Sequence, residues 1–291
     1  MNRLPLKIAI VLTVFFTSTN LFAQDFQGKA VYISKTTMDM DQFGGQDMTP
    51  ERKKQIQERM KSFLEKEYTL TFSKSESIYK EEEKLAAPGS GGGGRGFGAS
   101  LTGGPKYKNI QTKEMIQDQE FFGKQFLVKD ELKDLEWKMG TETKVIGQYT
   151  CFKATATIVP SGLDISSFRG PRGRDRNETE KDTTDSNEAK APKTIEVVAW
   201  YTPQIPVNQG PDDYWGLPGL ILEVNADRTT ILCTQIVLNP KDKETIDKPK
   251  KGQVVTQAEY TEITTKKMEE MRELYGGRGG RGGRGGGRGR N

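Results

Sequence analysis

The chain has 291 residues, a formal net charge of +4, two cysteines and no histidine. Without histidine there is no Ser-His-Asp or Cys-His arrangement and no zinc site built on imidazole, so any general base must be a carboxylate, a lysine or a tyrosine. Only 33% of residues are hydrophobic and 32 are glycine, so part of the chain is too poor in apolar surface to pack.

In chain order, the first feature is an export signal. Arg3 and Lys7 precede an apolar run from Ile8 to Phe16, and the tripeptide Leu21-Phe22-Ala23 follows a more polar stretch. This is the charged, apolar and small-residue series of a cleavable signal peptide, here residues 1–23. The run is shorter than the roughly 20 residues that cross a bilayer. Cleavage before Gln24 predicts a periplasmic or secreted protein. Removing Arg3 and Lys7 leaves +2, and setting aside Arg278, Arg281, Arg284, Arg288 and Arg290 leaves −3. The body is thus near neutral, and positive charge is concentrated in the tail.

Residues 28–37 read as a strand, with Ala30 and Tyr32 on one face and Val31 and Ile33 on the other. Asp39, Asp41 and Asp47, interleaved with Met38, Met40 and Met48, lack the spacing of a calcium loop. Thioethers suit Cu(I), yet a solvated loop is the preferred reading. Thr49-Pro50-Glu51 starts a helix, with Ile56, Met60, Phe63 and Leu64 as its apolar stripe. Tyr68, Leu70 and Phe72 mark a half-buried strand. Residues 76–83 form its hairpin partner, with Ile78 inward and Glu81-Glu82-Glu83 as a charged sheet edge. A glycine-rich loop, 86–105, precedes strands near 107–112, 115–119 and 124–128 and another around Trp137.

Residues 141–159 form a hairpin turning at Gly147, and 162–192 form a polar mobile loop. Residues 195–202 are a strand. Pro203, Pro206 and Pro211 stiffen the connector after it. Residues 220–225 and 229–238 form a hairpin around Ala226-Asp227-Arg228. Thr256 and Glu259 have capping-box spacing, and Tyr260, Ile263, Lys267, Met271 and Leu274 make a thin stripe on a terminal helix. The organisation is one β-rich domain over 24–240, a linker and helix over 241–275, and a Gly/Arg-rich tail over 276–291. The fold class is mainly β with α additions (α+β). A curved antiparallel sheet or half-barrel is expected, its open side covered by the inserted helix.

Cys151 and Cys233 both fall in strand-like runs. In an exported chain an even count favours a disulfide between them, the alternative being two buried free thiols. In Gly216-Leu217-Pro218-Gly219-Leu220-Ile221, Pro followed by Gly suits a type II turn that sets the register of the next strand. The same loop, with Trp200, Tyr201, Tyr214, Trp215, Leu217 and Pro218, is the candidate rim of a binding cavity. Asp212 and Asp213, adjacent on a loop, are not expected to act as an acid/base pair. The Gly/Arg tail has the composition of RNA-binding segments. Export removes that partner, leaving an anionic envelope surface as its target or an unstructured end.

The hexapeptide 216–221 is the one that names the GLPGLI family. Ala199-Trp200-Tyr201-Thr202-Pro203, Ile205-Pro206, Gly210-Pro211 and residues 144–154 also resemble that family in order and spacing, over about 28–238. The resemblance implies a secreted or periplasmic protein of Bacteroidota with no established activity and no cofactor, so no catalytic residue is carried over. Its strand order is similar to periplasmic half-barrels that carry lipoproteins. The expected role is a non-catalytic ligand-binding or accessory module, holding an apolar ligand or docking on an outer-membrane transporter. A carboxylate-based hydrolase and a scaffold recruiting partners through its tail are the alternatives.

Overall fold

The computed structural model describes residues 26–37, 49–82, 103–159 and 194–276. Residues 1–25, 38–48, 83–102, 160–193 and 277–291 lie outside the described residues, and with them the expected signal segment, the Asp39, Asp41 and Asp47 group, most of the expected 86–105 loop, all of the expected 162–192 loop and nearly all of the Gly/Arg-rich tail. Among the described residues, twelve strands form one sheet. They are β1 (Gln27–Thr36), β2 (Glu65–Ser73), β3 (Glu76–Glu81), β4 (Lys106–Asn109), β5 (Glu114–Phe121), β6 (Lys124–Glu131), β7 (Lys138–Ile146), β8 (Tyr149–Ile158), β9 (Ile195–Thr202), β10 (Leu220–Ala226), β11 (Thr229–Leu238) and β12 (Gln253–Val255). The order across the sheet is β12-β6-β5-β4-β3-β2-β1-β11-β10-β9-β8-β7. Each neighbouring pair is antiparallel except β12 on β6. The class is α+β, mostly β with two helices among the described residues, and the sheet is open and curved. The curl is visible in Tyr32 of β1, whose hydroxyl donates across the concave side to the Ile221 carbonyl at 2.7 Å.

The main core lies on the concave face. Ala30, Leu70 and Phe72 from β1 and β2 pack there with Ala199, Leu222 and Val224 from β9 and β10. The outer face of the β2–β6 half is also covered. Tyr107, Ile116 and Leu127 form a second cluster against Ile246 of the 239–252 segment, and Glu244 of that segment meets Lys29 at 2.7 Å and Thr71 at 3.1 Å. Cover on both faces explains why Thr69 and Thr71 are buried along with Leu70 and Phe72. It also corrects Ile78. Ile78 stands opposite Thr71 and Tyr107, on the outer face, while Ser77 and Tyr79 point inward. Nor is Glu81 on an edge, since β3 lies between β2 and β4.

Helix α1 (Pro50–Leu64) is capped by Thr49, whose Oγ1 accepts from Arg52 N at 3.4 Å, and runs directly into β2. Its Ile56, Met60 and Leu64 are only half-buried. The concave side is filled instead by the β9–β10 connection, residues 203–219, through Ile205, Val207, Tyr214 and Leu217. Helix α2 (Gln257–Gly276) has the reciprocal capping box: Thr256 N donates to Glu259 Oε2 at 2.7 Å, and Glu259 N to Thr256 Oγ1 at 3.2 Å. Its packed line is Tyr260, Thr264 and Met268, seated on Phe121 and Phe126 of β5 and β6. Ile263 and Leu274 of the expected stripe are exposed, because α2 presents the i, i+4, i+8 line to the sheet end. Trp137 precedes β7 rather than lying in a strand. Among the described residues no helix is long and apolar enough to cross a membrane.

The expected bridge between Cys151 and Cys233 is not formed; both are free and buried. They sit on β8 and β11 with β9 and β10 between. Each Sγ instead meets a backbone carbonyl, that of Tyr149 for Cys151 and that of Gln235 for Cys233. Burial raises the thiols to about 11 for Cys151 and about 12 for Cys233. An aromatic disulfide reagent is therefore expected to leave both untouched in the native protein and to titrate two thiols after denaturation without reductant. No thiols on denaturation would restore the bridge.

Candidate functional site

Strand alternation sends residues two apart to the same face. In β4 this aims Lys106 and Lys108 inward, opposite Tyr79 and Ser77 of β3. Both are buried, which a lysine tolerates only when its ammonium is matched. The match comes from the 203–219 connection. Lys108 Nζ donates to the carbonyls of Asp212 at 2.5 Å, Gly210 at 2.8 Å and Tyr214 at 3.4 Å. Lys106 Nζ sits between the Asp212 carboxylate at 2.5 Å and the Asp213 carboxylate at 2.8 Å. Ser77 Oγ adds a bond to Gln209 Oε1 at 2.8 Å. Together they hold down a segment that carries Asp212 at φ +47°, a left-handed conformation that is costly outside glycine.

The charges follow from this packing. Burial alone would disfavour the Lys106 ammonium, but Asp212 and then Asp213 outweigh it and raise its pKa well above the ordinary lysine value. Asp213 is the mirror case: although its side chain keeps 46% exposure, crowding in the concavity acts to raise its pKa, Lys106 overrides this, and the carboxyl is held lower than usual. Lys108 has backbone carbonyls for contacts, so burial dominates and brings it down to about 8, against the opposing pull of Asp213 and Asp212.

The motif 216–221 ends the connection. Gly216 adopts φ +92°, and its N–H donates to Asn208 O at 3.1 Å. Gly219 N–H donates to Leu217 O at 2.8 Å, closing a three-residue turn centred on Pro218. This is a γ-type turn in place of the expected type II turn, and Pro is pre-set for it by its fixed φ. Leu220 N and Ile221 N then bond Ile205 O and Gln209 O, so the motif ties the connection to itself as β10 begins.

Above the lysines a cavity of about 600 Å³ opens on the concave side. Its wall includes Tyr68, Tyr79 and Tyr214, the Lys106–Asp212–Asp213 cluster, Lys66, Glu81, Gln117 and Gln119, with Ile158, Ile195 and Ile231 on the far side. Lys66 pairs with Glu81 at 2.9 Å. Tyr68 and Tyr79 stack at 4.7 Å with planes 10° apart. The Tyr79 hydroxyl is buried with no hydrogen-bond partner among the described residues, and burial raises its pKa well above the ordinary tyrosine value. The space lies in the range of small-molecule sites, roughly 300–1,000 Å³.

Of the six residues expected to bind, only Tyr214 lines this cavity. Trp215 is buried against Met115 and Leu132, its Nε1 donating to Lys133 O at 3.0 Å. Leu217 is in the core, and Tyr201 is buried with its hydroxyl on Met139 Sδ. Trp200 lies on the other face with the Lys144 ammonium 4.3 Å from its ring, and Pro218 is exposed. Sequence reasoning missed Lys66, Tyr68, Tyr79, Glu81, Lys106 and Lys108. Their one signal was the period-two spacing of Lys106 and Lys108, which ordinarily marks a solvated strand face.

Residues 137–223 match a family model described as "Protein of unknown function (Porph_ging)". The matched stretch runs from Trp137 into β10 and contains the whole 203–219 connection. No curated protein matches the chain. Two solved structures are similar in outline, "Structure of PNGF-II in C2 space group" and "Structure of PNGF-II in P21 space group". Each is 13% identical, with TM-scores of 0.46 and 0.44, over 83% and 82% of this chain and 33% of the other. The chain thus spans about a third of the length of those structures.

Proposed function

We propose that this chain is a non-catalytic binding module of the bacterial envelope, exported by its signal segment, whose ligand occupies the concave cavity. The observation that carries the reading is the cavity wall. A roughly 600 Å³ space is bounded by stacked tyrosines and by charged side chains already fixed by one another. Such fixed polar groups orient a ligand without being reordered by it. The hydrolase alternative needs a carboxyl kept protonated beside a second, ionised one. Asp213 is shifted the other way, and both Asp212 and Asp213 are committed to Lys106. Membership of the GLPGLI family belongs to this proposal and rests on the hexapeptide 216–221 inside the matched stretch. Docking on an outer-membrane protein and contact of the Arg-rich tail with an anionic envelope surface belong to it as well.

The test is native mass spectrometry of the protein taken from its own envelope fraction. A chain beginning at Gln24 and carrying a non-covalent non-protein mass is expected, the added mass being lost on denaturation. A retained residue 1–23 segment would contradict export. A bare chain with no added mass would contradict the binding reading.

A further inference from the structure

The wall of the cavity narrows the chemistry of what it holds. Beneath and beside it Lys66 pairs with Glu81, Lys106 with both Asp212 and Asp213, and Lys108 with backbone carbonyls, so three ammonium charges stand among three carboxylates and the inner field is dipolar rather than of one sign. Of the other acidic groups on the wall, Asp130 accepts from the first N–H of α2, and Glu131 is exposed. We infer that the ligand is a short neutral saccharide, seated between the Lys106–Asp212–Asp213 cluster and the Tyr68 ring. The inference rests on the cavity being the ligand site.

Each competing class meets a specific obstacle. The Asp212 and Asp213 side chains are 43% and 46% exposed, so carboxylate oxygens front the lumen and repel an anion. An ammonium ligand would compete with Lys106 for carboxylates it already holds at 2.5 and 2.8 Å and would stand beside the buried ammoniums of Lys106 and Lys108. An alkyl chain would strip water from these pairs and return no hydrogen bond. Hydroxyl groups both donate and accept, so they can bridge carboxylate, ammonium and the amides of Gln117 and Gln119 without breaking any existing pair. Tyr68 is held in the cavity wall by its stack on Tyr79, and an aromatic wall residue suits the C–H side of a sugar ring.

The experiment titrates the mature chain, by calorimetry and saturation-transfer NMR, with maltotriose, cellotriose, mannotriose and triacetylchitotriose. Decanoate, spermidine and sialyllactose serve as comparators. At least one neutral trisaccharide is expected to bind with a Kd from about 10 μM to 1 mM, and none of the comparators. Tyr68→Ala and the wall variant Gln117→Ala, which leaves the lysine cluster whole, are each expected to weaken that binding about tenfold. Trp200→Ala on the other face should leave it unchanged. Binding of a comparator in place of every neutral sugar overturns the saccharide class and leaves the cavity reading standing. Binding of no probe also overturns the saccharide class, and the native mass measurement then decides whether the cavity reading falls with it. Binding unaltered by both wall variants overturns the assignment to this cavity.

Discussion

Lys108→Met is expected to cost about 3 kcal/mol or more of folding stability at pH 9–10, because it removes the donor that three carbonyls share. The substitution keeps the length of the side chain but leaves the carbonyls of Gly210, Asp212 and Tyr214 without the donor that faces them. Each buried acceptor left unmatched costs about 1–3 kcal/mol, and the 203–219 connection would lose its hold on β4. Denaturant unfolding of wild type and variant measures the difference directly. Its pH dependence has a defined sign. Folding lowers the Lys108 pKa from 10.5 to about 8, so the unfolded chain binds more protons between those values. The cost of keeping Lys108 charged is fully present below pH 8 and is relieved as pH rises. Wild type should therefore gain stability relative to Lys108→Met from pH 8 to 10, by up to roughly 3 kcal/mol. Above pH 10 the buried tyrosines Tyr68, Tyr79 and Tyr214, whose pKa values are raised on folding, act with the opposite sign in both proteins. A flat difference across pH 8–10 would mean that folded Lys108 keeps its proton throughout that range and that burial does not lower its pKa.

Gly219→Ala is expected to destabilise by about 3 kcal/mol or more, because the obstacle is backbone that cannot move aside. A Cβ at Gly219 would overlap the Thr202 carbonyl and stand 2.8 Å from Pro203 N. Thr202 is the register partner of Leu220, so relief of the overlap would part β9 from β10 where the connection leaves and rejoins the sheet. Gly216 gives the internal contrast. Its φ of +92° disfavours any side chain, yet the nearest atom to an added Cβ is 3.9 Å away. Gly216→Ala should then cost only about 1–2 kcal/mol, the price of the backbone conformation. Equal losses at the two glycines would show that conformation and not close approach is what the motif requires.

The parts of the fold that the sequence announced are those settled by neighbours along the chain. Thr49-Pro50 and the Thr256–Glu259 pair placed both helix starts, and Gly147 and Asp227-Arg228 placed two hairpin turns, because caps and turns are local. What failed depended on partners far away. Ile78 was read as inward on the premise of one covered face, and the 239–252 segment supplies a second cover from beyond β11. The α2 stripe was chosen by hydrophobicity, whereas Thr264 is buried because its hydroxyl is satisfied by the Tyr260 and Thr261 carbonyls of the same helix. Lys106 and Lys108 were passed over since a strand lysine ordinarily faces water. Only the curl of the sheet, and a connection about 100 residues later in the chain, give their charges a buried home. The aromatic cluster was assembled from adjacency in sequence, and successive strand residues such as Trp200 and Tyr201 leave on opposite faces.

The account stands on the cavity beside Tyr68 being where this protein holds its ligand. A crystal structure of the chain purified from its own envelope, without refolding, tests this most directly. Non-protein density touching Tyr68, Lys106 and Asp212 is the predicted result. A concave space holding water alone, with bound material against Trp200 or elsewhere on the outer face, would contradict it.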